Sequence, residues 1–160
     1  MTITIAVLQE RSVPGDVSAN LATVRTHAIH AREQGAQLLI TPEMFVTGYN
    51  IDADFDALVD GIDSQVAQLA ADTGIAIAAG VPARHRGAIA NAVILVDADG
   101  YERARYLKSH LFGDLDRGLF IPGDELPRSP NSGASPSGSS SVTTSSFPRQ
   151  CGPRHWPEPI

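Results

Sequence analysis

An α/β layered domain with a mixed sheet, followed by a tail without a core, is the fold class this sequence predicts. Three observations carry that reading. Short β-branched and apolar runs alternate with stretches whose apolar residues recur at helical spacing, giving the order β-α-β-α-β-β-β. The last two strands flank a short DADG turn, so they should pair as an antiparallel hairpin within a sheet that the earlier crossovers make parallel. Beyond Pro127 the composition changes abruptly.

Each element has its own local reason. Thr2 to Leu8 alternates β-branched and small apolar residues and suits a buried strand. Pro14 and Gly15 should turn the chain. Asp16 or Ser18 can cap a helix running to about Gln34, with Leu21, Val24, Ala28 and Ala31 on one face and Gly35 placed for a left-handed end. Leu38, Leu39 and Ile40 read as a strand buried on both faces, ended by Pro42. Asn50 to Phe55 reads as loop. Ile62 to Thr73 reads as a second helix closed by Gly74. Strands follow at Ile75 to Gly80, Ile89 to Val96 and Arg103 to Lys108.

The totals exclude several classes. The chain has 160 residues, enough for one domain. Its formal net charge of -6 disfavours a nucleic-acid or anionic-membrane partner, either of which calls for a basic surface. The opening MTITIAVLQE has neither a basic leader nor a small-residue cleavage site, and no run reaches the roughly 20 apolar residues of a membrane helix. With one cysteine, Cys151, no internal disulfide can form, and a cytoplasmic location is expected. From Arg128 onward Ser and Pro dominate, which cannot bury enough apolar surface to offset the entropy of ordering. The expected organisation is therefore a domain over 1–127 and a disordered tail over 128–160.

Four segments carry a resemblance. They are LLITPEMFVTGYN (38–50), the Asn91 strand NAVILV with its DADG turn, YLKSHLFGD (106–114), and FIPGD (120–124). In this order and spacing they resemble the N-terminal half of a carbon–nitrogen hydrolase of the nitrilase/amidase superfamily. The resemblance implies an α-β-β-α sandwich, incomplete here because the family's domain is much longer than 1–127. It implies hydrolysis of a non-peptide C–N bond, amide before nitrile. A cysteine thiolate attacks the carbon, a glutamate takes the thiol proton and then activates water, and a lysine stabilises the developing charge. Carried over, Glu43 is the base and Lys108 the charge stabiliser. Asp116, eight residues after the lysine where many relatives have a second glutamate, is a possible auxiliary carboxylate. Taken singly, Glu43 could be a solvated loop acid and Lys108 an ordinary strand-end lysine; the four segments together favour function.

No cofactor or metal is implied. His27 and His30 sit at a spacing that metal sites can use, but nothing completes a ligand set, and a solvated helix face is the better reading. His110 reads as a packing or hydrogen-bonding residue. Intact relatives take a small amide or nitrile and commonly form homo-oligomers, an assembly left open for this chain.

The nucleophile is not in place. The resemblance puts a Cys-Tyr-Asp motif near position 141, where this chain has Ser139-Ser140-Ser141-Val142-Thr143-Thr144. Cys151 lies too late and lacks the motif, which leaves it a tail thiol without a role. With GC-rich codon choices, the codons for 141–149, each re-read from the last base of the present codon, can encode Cys-Tyr-Asp-Val-Glu-Phe-Pro-Glu. The tail therefore reads as the product of a frameshift near residue 128. The chain as written is expected to be inactive and, with half a layered core, to expose apolar faces and sheet edges. The alternative is a non-catalytic remnant that associates with an intact homologue.

Overall fold

In the computed structural model, residues 2–49 and 54–123 are described. Strand β1 (Ile5–Val7) leads into helix α1 (Val17–Glu33), strand β2 (Leu38–Ile40), the short helix α2 (Phe55–Leu58) and helix α3 (Ile62–Thr73). Strands β3 (Ala76–His85), β4 (Ala88–Val96) and β5 (Glu102–Leu107) and helix α4 (Gly113–Leu119) complete it. The sheet order is β1-β2-β3-β4-β5, parallel through β3 and antiparallel beyond it. The sheet is mixed, as expected, and its last two strands pair as an antiparallel hairpin.

Local chemistry explains the helix ends. The Asp16 carboxylate accepts the Ala19 N–H at 2.9 Å, satisfying one of the donors that a first helical turn leaves open. Gly35 and Gly74 adopt the left-handed φ values of 84° and 63° that follow helix ends. Two helices escape the sequence reading. Phe55, expected at the end of a loop, begins α2, capped by Asp54. Neither α2 nor α4 is long enough to show a helical period.

The two sheet faces are unequally covered. On one, Leu39, Ile77, Val96, Ala79 and Ile94 pack beneath Val24 and Ala28 of α1 and Val66, Leu69 and Ala70 of α3. Burying each such Val, Leu or Ile stabilises by about 1.5–3 kcal/mol. On the other, the far end is covered by a second cluster of Met44, Phe55, Val59, Ile89 and Phe120. The near end is open: Ile5 and Val7 are 47% and 62% exposed. This corrects two expectations. β1 is an exposed three-residue edge strand rather than a buried Thr2–Leu8, and in β2 only Leu39 is buried while Leu38 and Ile40 are half-covered. The reason is common to both: among the described residues the long helices α1 and α3 cover one face, and nothing covers the β1 and β2 end of the other. Of the expected sandwich, the described residues form one sheet and its helix layer. No helix among them is long and apolar enough to cross a membrane. Ser141, Cys151 and the tail from 128 lie outside the described residues.

Candidate active site

The turn after β2 is built to project one charged side chain. Thr41 continues the ladder, its N–H bonded to the Ala78 carbonyl at 2.9 Å and its hydroxyl accepting the Gly80 N–H at 3.0 Å. Pro42 has no N–H to offer and ends it. Met44 then takes a left-handed φ of 53°, and Phe45 N–H bonds back to the Pro42 carbonyl at 3.3 Å. Met44, Phe45, Val46 and Thr47 are all buried. Glu43 alone stands out, its side chain 49% exposed.

Lys108 lies one residue beyond β5, held by its N–H to the Asn91 carbonyl at 2.8 Å. Its Nζ is 2.7 Å from Glu43 Oε1 and 2.7 Å from Asp116 Oδ2. Asp116, on α4, is almost wholly buried. Burying a carboxylate is costly unless it is paired and hydrogen-bonded; Asp116 Oδ2 meets both conditions, also accepting the Phe112 N–H at 2.8 Å. Asn91 donates from Nδ2 to Glu43 Oε1 at 2.6 Å. Lysine and amide thus converge on the same carboxylate oxygen, fixing the rotamer of a side chain that is otherwise half in solvent.

The three residues singled out in the sequence therefore meet at one place. Asn91 was assigned no site role there, yet it is 2% exposed and ties both ends together, its side chain to Glu43 and its carbonyl to Lys108. A signal existed: a lone amide inside the apolar run AIANAVILV. Beside the cluster opens a cleft of about 560 Å³, lined by Glu43, Tyr49, Lys108, Phe112, Leu115 and Asp116 among others. Tyr106 Oη interacts with the Ser109 hydroxyl at 3.2 Å and accepts the Ser109 N–H at 3.3 Å, which holds the phenol below its ordinary range. His110 is hydrogen-bonded through Nδ1 to the Ser109 hydroxyl at 3.0 Å, while His27 and His30 lie on the solvated side of α1.

Chemically, the cluster offers a carboxylate with a fixed orientation and an ammonium group beside it, both facing a cleft. That is a proton acceptor next to a stabiliser of developing negative charge. Among the described residues it includes no thiol or hydroxyl placed as a nucleophile.

Comparison with known proteins gives the chain a family. A hydrolase from Pseudomonas protegens, named for its position 5′ of pqqF, is 40% identical over 130 residues, covering 78% of this chain and 45% of its own. The 2-oxoglutaramate amidase of Bacillus subtilis is 30% identical over 126 residues, covering 76% of this chain and 48% of its own. The crystal structure of an amidase from Nesterenkonia sp. superposes with a TM-score of 0.72 at 33% identity, over 77% of this chain and 49% of that one. Other structures of a Nesterenkonia amidase show acrylamide, or the acetamide moiety of fluoroacetamide, joined to an active-site cysteine. The chain thus spans about half the length of these relatives. Residues 4–150 match the family model described as Carbon-nitrogen hydrolase. This chain belongs to the carbon–nitrogen hydrolase family.

Proposed function

We propose that Glu43, Lys108 and Asp116 form the N-terminal part of an amidase-type site whose nucleophile is not in place in this chain. The observation that carries the reading is the Lys108 ammonium, held 2.7 Å from each of two carboxylates at the edge of an open cleft. In this reading Glu43 takes the thiol proton and later activates water, and Lys108 stabilises the charge that forms on the substrate oxygen or nitrogen. Asp116 is a positioning carboxylate, fixing the ammonium from the buried side. The relatives named as amidases favour an amide substrate over a nitrile.

Without a cysteine near 141 the covalent route is closed. A purified, monodisperse preparation of the full chain, offered small aliphatic amides and nitriles, is expected to release no ammonia above background; measurable release that Glu43→Gln abolishes would overturn the reading. The frameshift is tested by the nucleotide sequence across codons 120–160. If no single-base slip restores Cys-Tyr-Asp near codon 141, that explanation fails. The rival reading, a remnant that pairs with an intact homologue in the cytoplasm, predicts co-purification with a full-length relative.

A further inference from the structure

A buried amide stands where α1 calls for an apolar side chain. The buried residues of the helix are Asn20, Val24, Ala28 and Ala31, and the last three belong to the core under the sheet. Asn20 is 1% exposed. An amide in such a place is costly unless its groups are bonded. Oδ1 accepts the Val13 N–H at 2.7 Å, while Nδ2 donates to the Val13 carbonyl at 2.8 Å and to the Val46 carbonyl at 3.1 Å. The two bonds to Val13 fix which end of the amide is oxygen and which is nitrogen.

The Val46 bond reaches the turn that carries Glu43. That turn holds itself weakly. Its internal bond from Phe45 to Pro42 and its bond from Val46 to Gly80 of β3 are both 3.3 Å, longer than the usual range for N–H···O. Met44 within it has a left-handed backbone, a strain that persists only where the surroundings over-determine it. The ties from the other side are shorter. Besides Asn20, the Gly15 N–H bonds to the Thr47 carbonyl at 2.8 Å, and a methyl group added to Gly48 would stand 2.8 Å from the Pro14 Cα. Glu43 in turn needs close placement, because its bonds from Asn91 and Lys108 are 2.6 Å and 2.7 Å long, and a shift of about 1 Å would break both. We propose that Asn20 is a positioning residue for Glu43: by tying the Val46 carbonyl to α1 and to loop 12–15, it holds the turn where the Glu43 carboxylate meets Asn91 and Lys108. This role rests on the reading of Glu43 as the base. Asn20 itself does not line the cleft and acts only through the backbone of the turn.

The test follows the Asn91 side-chain amide by 15N–1H NMR in the full chain at neutral pH. Its proton on Glu43 should lie downfield and exchange slowly, and Glu43→Ala, which should remove that signature, assigns it. In folded Asn20→Ala the proton should move upfield and exchange at least about tenfold faster, the scale of one lost hydrogen bond. Asn20→Asp keeps the acceptor for the Val13 N–H and loses only the donors, so it should do the same. Val24→Ala, one turn along the same buried stripe, should lower the Tm and leave the Asn91 signal in place. Several results would overturn the proposal: no such signature in the wild type; an Asn91 amide unchanged in both folded Asn20 variants, which would make Asn20 a support of the fold alone; an equal change in Val24→Ala, which would make the effect a general loosening; or failure of both Asn20 variants to fold. The signal reports where Glu43 sits whether or not the site hydrolyses anything. It can therefore fail while the amidase reading stands, and ammonia release can contradict that reading while the signal behaves as expected.

Discussion

Gly80 is pressed against Pro42: a methyl group on its Cα would stand 2.4 Å from the Pro42 carbonyl oxygen, and 2.6 Å from the Met44 nitrogen. Those neighbours are backbone and cannot swing aside. The turn that presents Glu43 is seated directly on β3, and only a residue without a side chain permits the approach. Gly80→Ala should therefore destabilise by about 1–3 kcal/mol. It should also loosen the turn locally, read as faster amide exchange at Val46, whose N–H bonds to the Gly80 carbonyl at 3.3 Å. An unchanged Tm with unchanged exchange would show that the seating is not tight.

Met44 holds a left-handed backbone at φ 53° while its side chain is fully buried. The two effects oppose each other, since the conformation is strained for a side chain by about 1–3 kcal/mol and the burial offsets it. Truncation should be costly, but not in order of size. Met44→Ala keeps the strain and loses the packing, at about 2–5 kcal/mol. Met44→Gly loses slightly more packing but relieves the strain, so it should be the less destabilising of the two. Urea unfolding of both variants decides this; alanine as the milder change would mean that the conformation carries little strain.

Lys108 neutralises a carboxylate that has almost no water of its own. Lys108→Met removes the counter-charge from Asp116 and should cost about 3 kcal/mol, the low end for breaking a buried pair because Lys108 itself is partly exposed. Adding Asp116→Asn removes the orphaned charge and should recover much of that loss. A double-mutant cycle in thermal unfolding measures the coupling. Additive losses would mean that the pair does not stabilise the fold.

The DADG turn between β4 and β5 makes stability acid-sensitive. Asp97 accepts the Tyr101 N–H at 2.9 Å and the Asp99 N–H at 3.0 Å and pairs with Arg103; together these hold its carboxyl below the ordinary carboxylate range. A depressed folded-state value means the contribution is present above the unfolded value, about 3.9, and is lost as pH falls through the folded one. The wild-type advantage over Asp97→Asn should be full at neutral pH and shrink below about pH 4. Urea midpoints of the two proteins as a function of pH check the sign; a gap that widens in acid would contradict it.

The parts of this fold that local physics decides were readable in the sequence. Ile62–Thr73 emerges with the expected bounds, since an apolar stripe and a terminal glycine define it without help from elsewhere. The Asp16 cap is equally local. Burial was not readable for β1, because Ile5 and Val7 look like core residues and are surface only because no described residue covers that end of the sheet face. In the site, Glu43 and Lys108 were identifiable from their segments, whereas the place of Asn91 depends on a contact across 48 residues of sequence that no spacing rule reveals. β3 runs to His85, five residues beyond its expected end at Gly80, because its pairing with β4 continues through Gly80 and Pro82.

Gly123 bonds its N–H to the Lys108 carbonyl at 3.0 Å and packs against Leu107, where an added methyl would sit 2.4 Å from the Leu107 Cβ. Whatever polypeptide continues from residue 123 starts its path one hydrogen bond from Lys108. A continuation on the same chain therefore meets the Glu43–Lys108 pair as an intramolecular neighbour, at an effective concentration of about millimolar order for a short tether. The same segment supplied as a separate molecule would meet it only at its own dilution. Complementing this site in trans would then demand an intrinsic affinity that a covalent continuation never has to supply.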